Sequence, residues 1–211
     1  MNADIRHPIF ARIYPRMDAM MAKAGVPEHR EELLAGATGR ALEVGAGHGA
    51  NFGHYPKSVT EVVAVEPEPR LRGLAVQAAV AAPVPVAVRA GSAEDLDLDD
   101  ASFDVAVASL VLCSVRNPVR ALAELRRVLR PGGELRFYEH VRSASPKFVR
   151  FQRYADVVWP FMAGGCHCSR PTHEWIAQSG FTITGIRRFD FPEAGMPNPA
   201  QPHVLGRALR D

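Results

Sequence analysis

Directly behind the apolar stretch Ala41–Val44, the chain runs Glu43-Val44-Gly45-Ala46-Gly47-His48-Gly49-Ala50-Asn51-Phe52. Few local sequences leave a backbone so little choice. Glycines at alternate positions let the chain turn tightly as it leaves a buried strand, and they let a ligand approach the main chain with no Cβ in the way. The pattern predicts a strand, a tight turn and the opening of a helix, whose free N–H groups favour an anionic or polar ligand group. Glu66 stands 21 residues after Gly45, at the end of the next apolar stretch. A carboxylate at that place can accept both hydroxyls of a ribose. The run does not by itself name the ligand. Gly45, Gly47 and Ala50 also satisfy the dinucleotide pattern G-x-G-x-x-G/A, so a nicotinamide or flavin reading stays open.

The rest of the chain supplies the frame for such a loop. Short runs rich in Val and Leu recur at Ala41–Val44, Val62–Val65, Val84–Val88, Val105–Val111 and Glu134–Tyr138, and read as buried strands. Helical spacing separates them. Pro69–Ala82 is one such stretch. Asn117–Leu129 is clearer, with Val119, Leu122, Leu125, Val128 and Leu129 on one stripe. Asn117-Pro118 is an N-cap followed by proline at the first helical position, and Pro131-Gly132-Gly133 turns the chain into the next strand. Strand alternating with helix predicts an α/β fold with a mostly parallel sheet covered on both faces. Outside this middle, Pro8–Lys23 reads as amphipathic helix interrupted by Pro15. Pro146–Met162 and Pro171–Ser179 read as helices, and Phe181–Phe189 and His203–Leu209 as two final strands. A loop restrained by Pro192, Pro197, Pro199 and Pro202 joins those strands.

Composition excludes several classes. Hydrophobic residues make up 47% and charged residues 23% of 211, so the chain is neither disordered nor fibrous. A net charge of +2 gives no reason to expect a nucleic-acid partner. The first 30 residues carry Asp4, Arg6, Arg12, Arg16, Asp18 and Lys23, which leaves no room for a signal-peptide core, and no apolar stretch is long enough to span a bilayer. Three cysteines form an odd set, and Cys166 and Cys168 are too close in sequence for a good structural disulfide. A reducing, cytoplasmic location with free thiols is the expectation.

Further stretches narrow the cofactor. Gly91-Ser92-Ala93-Glu94-Asp95-Leu96 follows the third strand, Ser102-Phe103-Asp104 precedes the fourth, and Arg130-Pro131-Gly132-Gly133 precedes the fifth. With these in place the chain resembles the class I S-adenosylmethionine-dependent methyltransferases over nearly its whole length. The resemblance implies a single domain over residues 1–211, with N-terminal helices in 8–37 and a helical substrate-side insertion at 145–180. It also implies a Rossmann-like, seven-stranded, mostly parallel sheet that ends in an antiparallel hairpin. S-adenosylmethionine becomes the expected cofactor and S-adenosylhomocysteine the product. The cofactor-facing residues it implies are Tyr14 and Glu43; Gly45, Ala46, Gly47, Gly49, Asn51 and Phe52 of the loop; Glu66 and Pro67; Ser92, Ala93 and Glu94; and Ser109, Leu110, Val111 and Ser114 after the fourth strand.

Other wording is similar to one branch, the alkyl-thiol S-methyltransferases of the animal methyltransferase-like type and their bacterial relatives. The stretches are Gly49-Ala50-Asn51-Phe52 with Tyr55-Pro56, Ser109-Leu-Val-Leu-Cys-Ser-Val115, Glu139-His140-Val141, Gly165-Cys166 and Pro202-His203-Val-Leu-Gly206. This implies methyl transfer to a small thiol. Methyl acceptors at oxygen, nitrogen or carbon remain alternatives, as does, more remotely, a nicotinamide-dependent oxidoreductase. The animal enzymes begin with an apolar membrane anchor, which is not expected here.

On the acceptor side, His140 follows the fifth strand at the edge where open α/β sheets bind ligands, and is the expected general base. Trp159, Cys166, His167 and His203 are expected to line the acceptor pocket. Cys113 reads as a small buried hydrophobe. Cys166-His167-Cys168 with His173 matches no closed structural zinc pattern, so no metal is expected. The acidic run from Glu94 to Asp100 lacks the features of a calcium loop and reads as a solvated turn. Arg142, Lys147, Arg150 and Arg153 lead into an amphipathic helix, read as a lid over the pocket, with contact to an acidic lipid surface as the alternative.

Overall fold

The computed structural model describes residues 7–192 and 198–211. Seven strands form one sheet: β1 (Gly39–Val44), β2 (Val59–Val65), β3 (Val86–Arg89), β4 (Phe103–Ser109), β5 (Leu129–His140), β6 (Phe181–Asp190) and β7 (Pro202–Arg210). Their order is β3-β2-β1-β4-β5-β7-β6. The first five are parallel, and β7 runs antiparallel to both β5 and β6. The expected α/β class, mostly parallel sheet and terminal antiparallel pair are all present.

The central strands alternate by residue between two apolar layers, as a period of two requires. Leu42, Val63, Ala106 and Leu135 pack on one side, with Leu122 and Leu125 of α4 (Pro118–Val128) and Ile176 of α7 (Thr172–Gln178). Ala41, Val62 and Val107 pack on the other, with Leu33 and Leu34 of α2 (Val26–Leu34) and Ala75 of α3 (Pro69–Ala79). The helix starts are written into the sequence. The Asn117 side chain accepts from Arg120 N at 3.0 Å ahead of α4, and the Glu68 side chain accepts from Leu71 N at 2.8 Å ahead of α3. The remaining helices are α1 (Pro8–Ala22), α5 (Pro146–Ala155) and α6 (Trp159–Met162).

Four local expectations are corrected. No helix opens after β1. Gly45, Gly47 and Gly49 all have φ between 59° and 84°, which an α-helix excludes, and the chain instead makes successive tight turns and a single 3-10 turn, Phe52–His54. Pro15 lies inside α1 without interrupting it, because residues on both sides of it are anchored: Phe10 to Gly164, Asp18 to Arg30. The segment 146–162 is two helices, since Asp156 leaves α5 to accept from Cys168 N and Ser169 N at 2.7 and 3.1 Å. β4 stops at Ser109 because Leu110 takes a φ of 59°. Pro197 lies outside the described residues. No helix of the described residues is long and apolar enough to cross a membrane.

Candidate cofactor and acceptor sites

The glycine loop leaves the carboxyl end of β1 and folds against the end of β2. Ala46 N donates to Val65 O at 3.2 Å, Gly49 N to Ala46 O at 2.9 Å and Phe52 N to Gly49 O at 3.1 Å. Gly45 has no space for a side chain, as a Cβ there would lie 2.5 Å from Val111. Glu66 sits where the sequence reading put it: its carboxylate accepts from Gly47 N at 2.7 Å and from Glu68 N at 2.8 Å. Burial pushes its carboxyl up to about 7. Pro67 continues the same turn, its carbonyl accepting from Arg72 at 3.1 Å.

Glu43 and Asn51 have structural partners. Asn51 Nδ2 and the Tyr55 hydroxyl donate to the two oxygens of Glu43 at 3.0 and 2.7 Å. Arg30 donates to Asn51 Oδ1 at 2.7 Å and to Asp18 at 2.5 Å. One chain of polar contacts therefore ties α1 and α2 to the glycine loop. Tyr14 of α1 lies over Gly47, where an added Cβ would stand 3.3 Å from the Tyr14 ring, and it meets the His48 ring at 5.5 Å between centroids. The N-terminal helices thus close over the loop.

The remaining cofactor-side residues gather along the same edge. Ser92 and Ala93 form the turn after β3. The Glu94 carboxylate is engaged by the N–H groups of Arg116 and Asn117 at 2.6 and 3.1 Å, so it braces the approach to α4. Leu110, in its left-handed conformation, swings the following N–H groups inward. Val111 N and Leu112 N donate to Glu139 Oε1 at 2.9 and 2.8 Å, and Cys113 N to Glu139 Oε2 at 3.1 Å. Sequence reasoning missed Glu139 and Arg170, which fixes the same loop by donating to Leu112 O and Val115 O at 2.9 and 2.7 Å. The available signal for Glu139 was its place in the Glu139-His140-Val141 stretch at the carboxyl end of β5, which was quoted for its wording and given no role.

The acceptor-side residues meet beyond that loop. His167 N donates to Cys113 O at 2.8 Å, and Gly165 lies so close to Ser114 that a Cβ would stand 2.8 Å from Ser114 O. These contacts bring Cys166 beside Cys113. His140 Nδ1 is 3.6 Å from Cys113 Sγ and 3.3 Å from Cys166 Sγ. Cys113, Cys166 and Cys168 are buried, and Trp159 packs against them. His203 pairs with His140 across β5 and β7, the two rings 4.6 Å apart. Its Nδ1 contacts Gln201 O at 2.7 Å, and burial lowers its pKa to about 4. Burial, helped by His203, holds His140 well below 6.5. A ring held that low is a weak acceptor for the proton of a thiol, whose pKa is about 8.5. The His167 ring faces Gly165 O at 2.8 Å.

The donor set suits a nucleoside cofactor. A glycine turn and a ribose-type carboxylate share one edge, where Ser109 Oγ and His48 Nδ1 are buried with no hydrogen-bond partner among the described residues.

Comparison with known proteins decides which cofactor. Residues 42–137 match the methyltransferase domain family. A thiol S-methyltransferase of Homo sapiens is 34% identical over 192 residues, covering 84% of this chain and 74% of the human protein. The chain belongs to the S-adenosylmethionine-dependent methyltransferases. The fold agrees. A methyltransferase structure from Thermotoga maritima superposes with a TM-score of 0.70 at 21% identity, covering 96% of this chain and 99% of that one. One from Mesorhizobium loti gives 0.64 at 21% identity, covering 89% and 98%. This methyltransferase therefore uses S-adenosylmethionine, and the nicotinamide alternative falls away.

Proposed function

We propose that this methyltransferase methylates small thiols. The observation that carries the reading is the 34% identity to the human thiol S-methyltransferase over 84% of the chain. The acceptor side supports it, because Trp159 and the three buried cysteines make an apolar cluster beside His140, surroundings that suit a compact, poorly hydrated acceptor. Gly45, Gly47, Glu66 and Ser109 are the residues proposed to hold the cofactor, which supplies an electrophilic methyl group on a sulfonium. The chain's own residues align the acceptor and exclude water. His140 borders the acceptor and positions its sulfur. Tyr14 and α1 cover the cofactor side.

The test is product analysis with purified protein, S-adenosylmethionine and a set of small alkyl thiols, phenols and amines. Methyl thioether and S-adenosylhomocysteine are expected in equal amounts. His140→Gln should lower turnover and leave cofactor affinity in calorimetry unchanged. Preferential methylation of the phenols or amines would overturn the thiol reading.

A further inference from the structure

We propose that Cys113, His140 and Cys166 form a three-ligand site for a soft divalent metal ion, Zn2+ by its chemistry, whose fourth position takes the acceptor thiol. The second half of this proposal rests on the thiol reading above; the first half does not.

Geometry carries it. The Sγ atoms of Cys113 and Cys166 and a ring nitrogen of His140 all lie within 4.8 Å of one another. Zinc bonds of about 2.3 Å to sulfur and about 2.05 Å to nitrogen, at a tetrahedral angle, put the two ligand atoms roughly 3.6 Å apart. The S···N separations here are 3.6 and 3.3 Å. Two sulfurs and an imidazole are the donors that soft divalent ions select, and three protein ligands with one open position is the arrangement of catalytic rather than structural zinc. Two thiolates and a neutral imidazole cancel a divalent ion, so the metal-loaded site is neutral before the acceptor enters, and the acceptor thiolate then brings a single negative charge.

The ligands come from three separately fastened elements. The Cys113 loop is held by Glu139 and Arg170. The Cys166 loop is docked through His167 N and Gly165, and His140 ends β5. Cys168 Sγ lies 4.0 Å from Cys166 Sγ but is not part of the group. The fourth position is thus left for an exogenous ligand. A thiol entering it binds as thiolate, its proton passing to solvent. The acceptor would then be held in its nucleophilic form at neutral pH.

The probe is Co2+, titrated anaerobically into protein stripped with a strong chelator. One equivalent per chain is expected to bind, with the thiolate-to-metal absorption in the ultraviolet and the intense visible bands of a four-coordinate site. Cys113→Ser and Cys166→Ser should each abolish the ultraviolet absorption or cut it by about half, while Cys168→Ser leaves it intact. Calorimetry with S-adenosylmethionine confirms that each variant remains folded. A small alkyl thiol added to the Co2+ protein should shift the visible bands. Failure to bind Co2+ stoichiometrically, or a spectrum unchanged in both Cys113→Ser and Cys166→Ser, overturns the site. Undiminished methylation of thiols by the metal-free protein overturns the fourth-position assignment and leaves the thiol reading standing. Stoichiometric binding by a protein that methylates no thiol upholds the site and overturns the thiol reading.

Discussion

Glu66 joins the glycine loop to the second strand and is also the group proposed to hold the ribose. Its carboxylate already accepts two backbone N–H groups in a buried place, and that burial pushes its carboxyl up to about 7. Ribose hydroxyls are better held by the ionised form, so cofactor binding and loss of this proton favour one another. Two outcomes are expected. Glu66→Ala should weaken S-adenosylmethionine binding by roughly 1.5–3 kcal/mol, the worth of a charge-assisted contact. In the parent protein, affinity should fall as pH drops from 8 to 6, whereas in the variant it should stay flat. Calorimetric titration across that range checks both. Equal affinities for parent and variant would remove Glu66 from the ribose.

At the scale of elements, the acceptor side depends on one loop lying on another. Gly165 has a φ of 90°, and a Cβ there would stand 2.8 Å from Ser114 O, which is backbone and cannot swing aside. Gly165→Ala should lift the Cys166 loop from the Cys113 loop. A displacement of about 1 Å at a reacting centre costs on the order of a hundredfold in rate, so turnover is expected to collapse while cofactor affinity holds. Parallel calorimetry and rate measurements would show this split, and loss of both together would contradict it. The same contact explains what the sequence could and could not disclose. The strands were legible because runs such as Val62–Val65 are buried on both faces and so carry no polar residue. The α4 boundary was legible because Asn117 and Pro118 act locally. The place of Glu66 at the end of the second strand was legible because the buried run before it fixes where that strand stops; its bond to Gly47 N was not expected. By contrast, the meeting of Cys113, His140 and Cys166 depends on a left-handed Leu110, on three N–H groups gathered by Glu139, and on the bare approach of Gly165. None of these leaves a period or a spacing in the chain. His167 and His173, neighbours of Cys166 in sequence, face other partners.

Over the whole molecule, two sets of buried ionisable groups pull stability in opposite directions with pH. Glu43, Glu66 and Glu139 are each raised to about 7, chiefly by burial. Their native forms keep a proton that the unfolded chain gives up at about 4.5, so the stability they contribute is full below that value and is lost as pH rises through 7. His140 and His203 are lowered by burial, His203 to about 4. Their unfolded forms bind protons that the native state refuses, so stability increases as pH rises toward 6.5. The sum is a shallow profile that conceals large parts, and substitutions can expose each part. In Glu43→Gln the amide can still accept from Asn51 and can donate to the Tyr55 oxygen, so the fold has no reason to fail. Relative to this variant, the parent should lose roughly 3 kcal/mol between pH 4.5 and 7.5, the value of a carboxyl raised from 4.5 to about 7. His203→Asn is neutral at every pH. Relative to it, the parent should gain roughly 3 kcal/mol between pH 4 and 7, the value of an imidazole lowered from 6.5 to about 4. Denaturant unfolding of the three proteins at matched pH values measures both differences. Opposite slopes are required, because one group is buried with its proton and the other without; parallel or flat differences would mean that these side chains titrate in water rather than inside the fold.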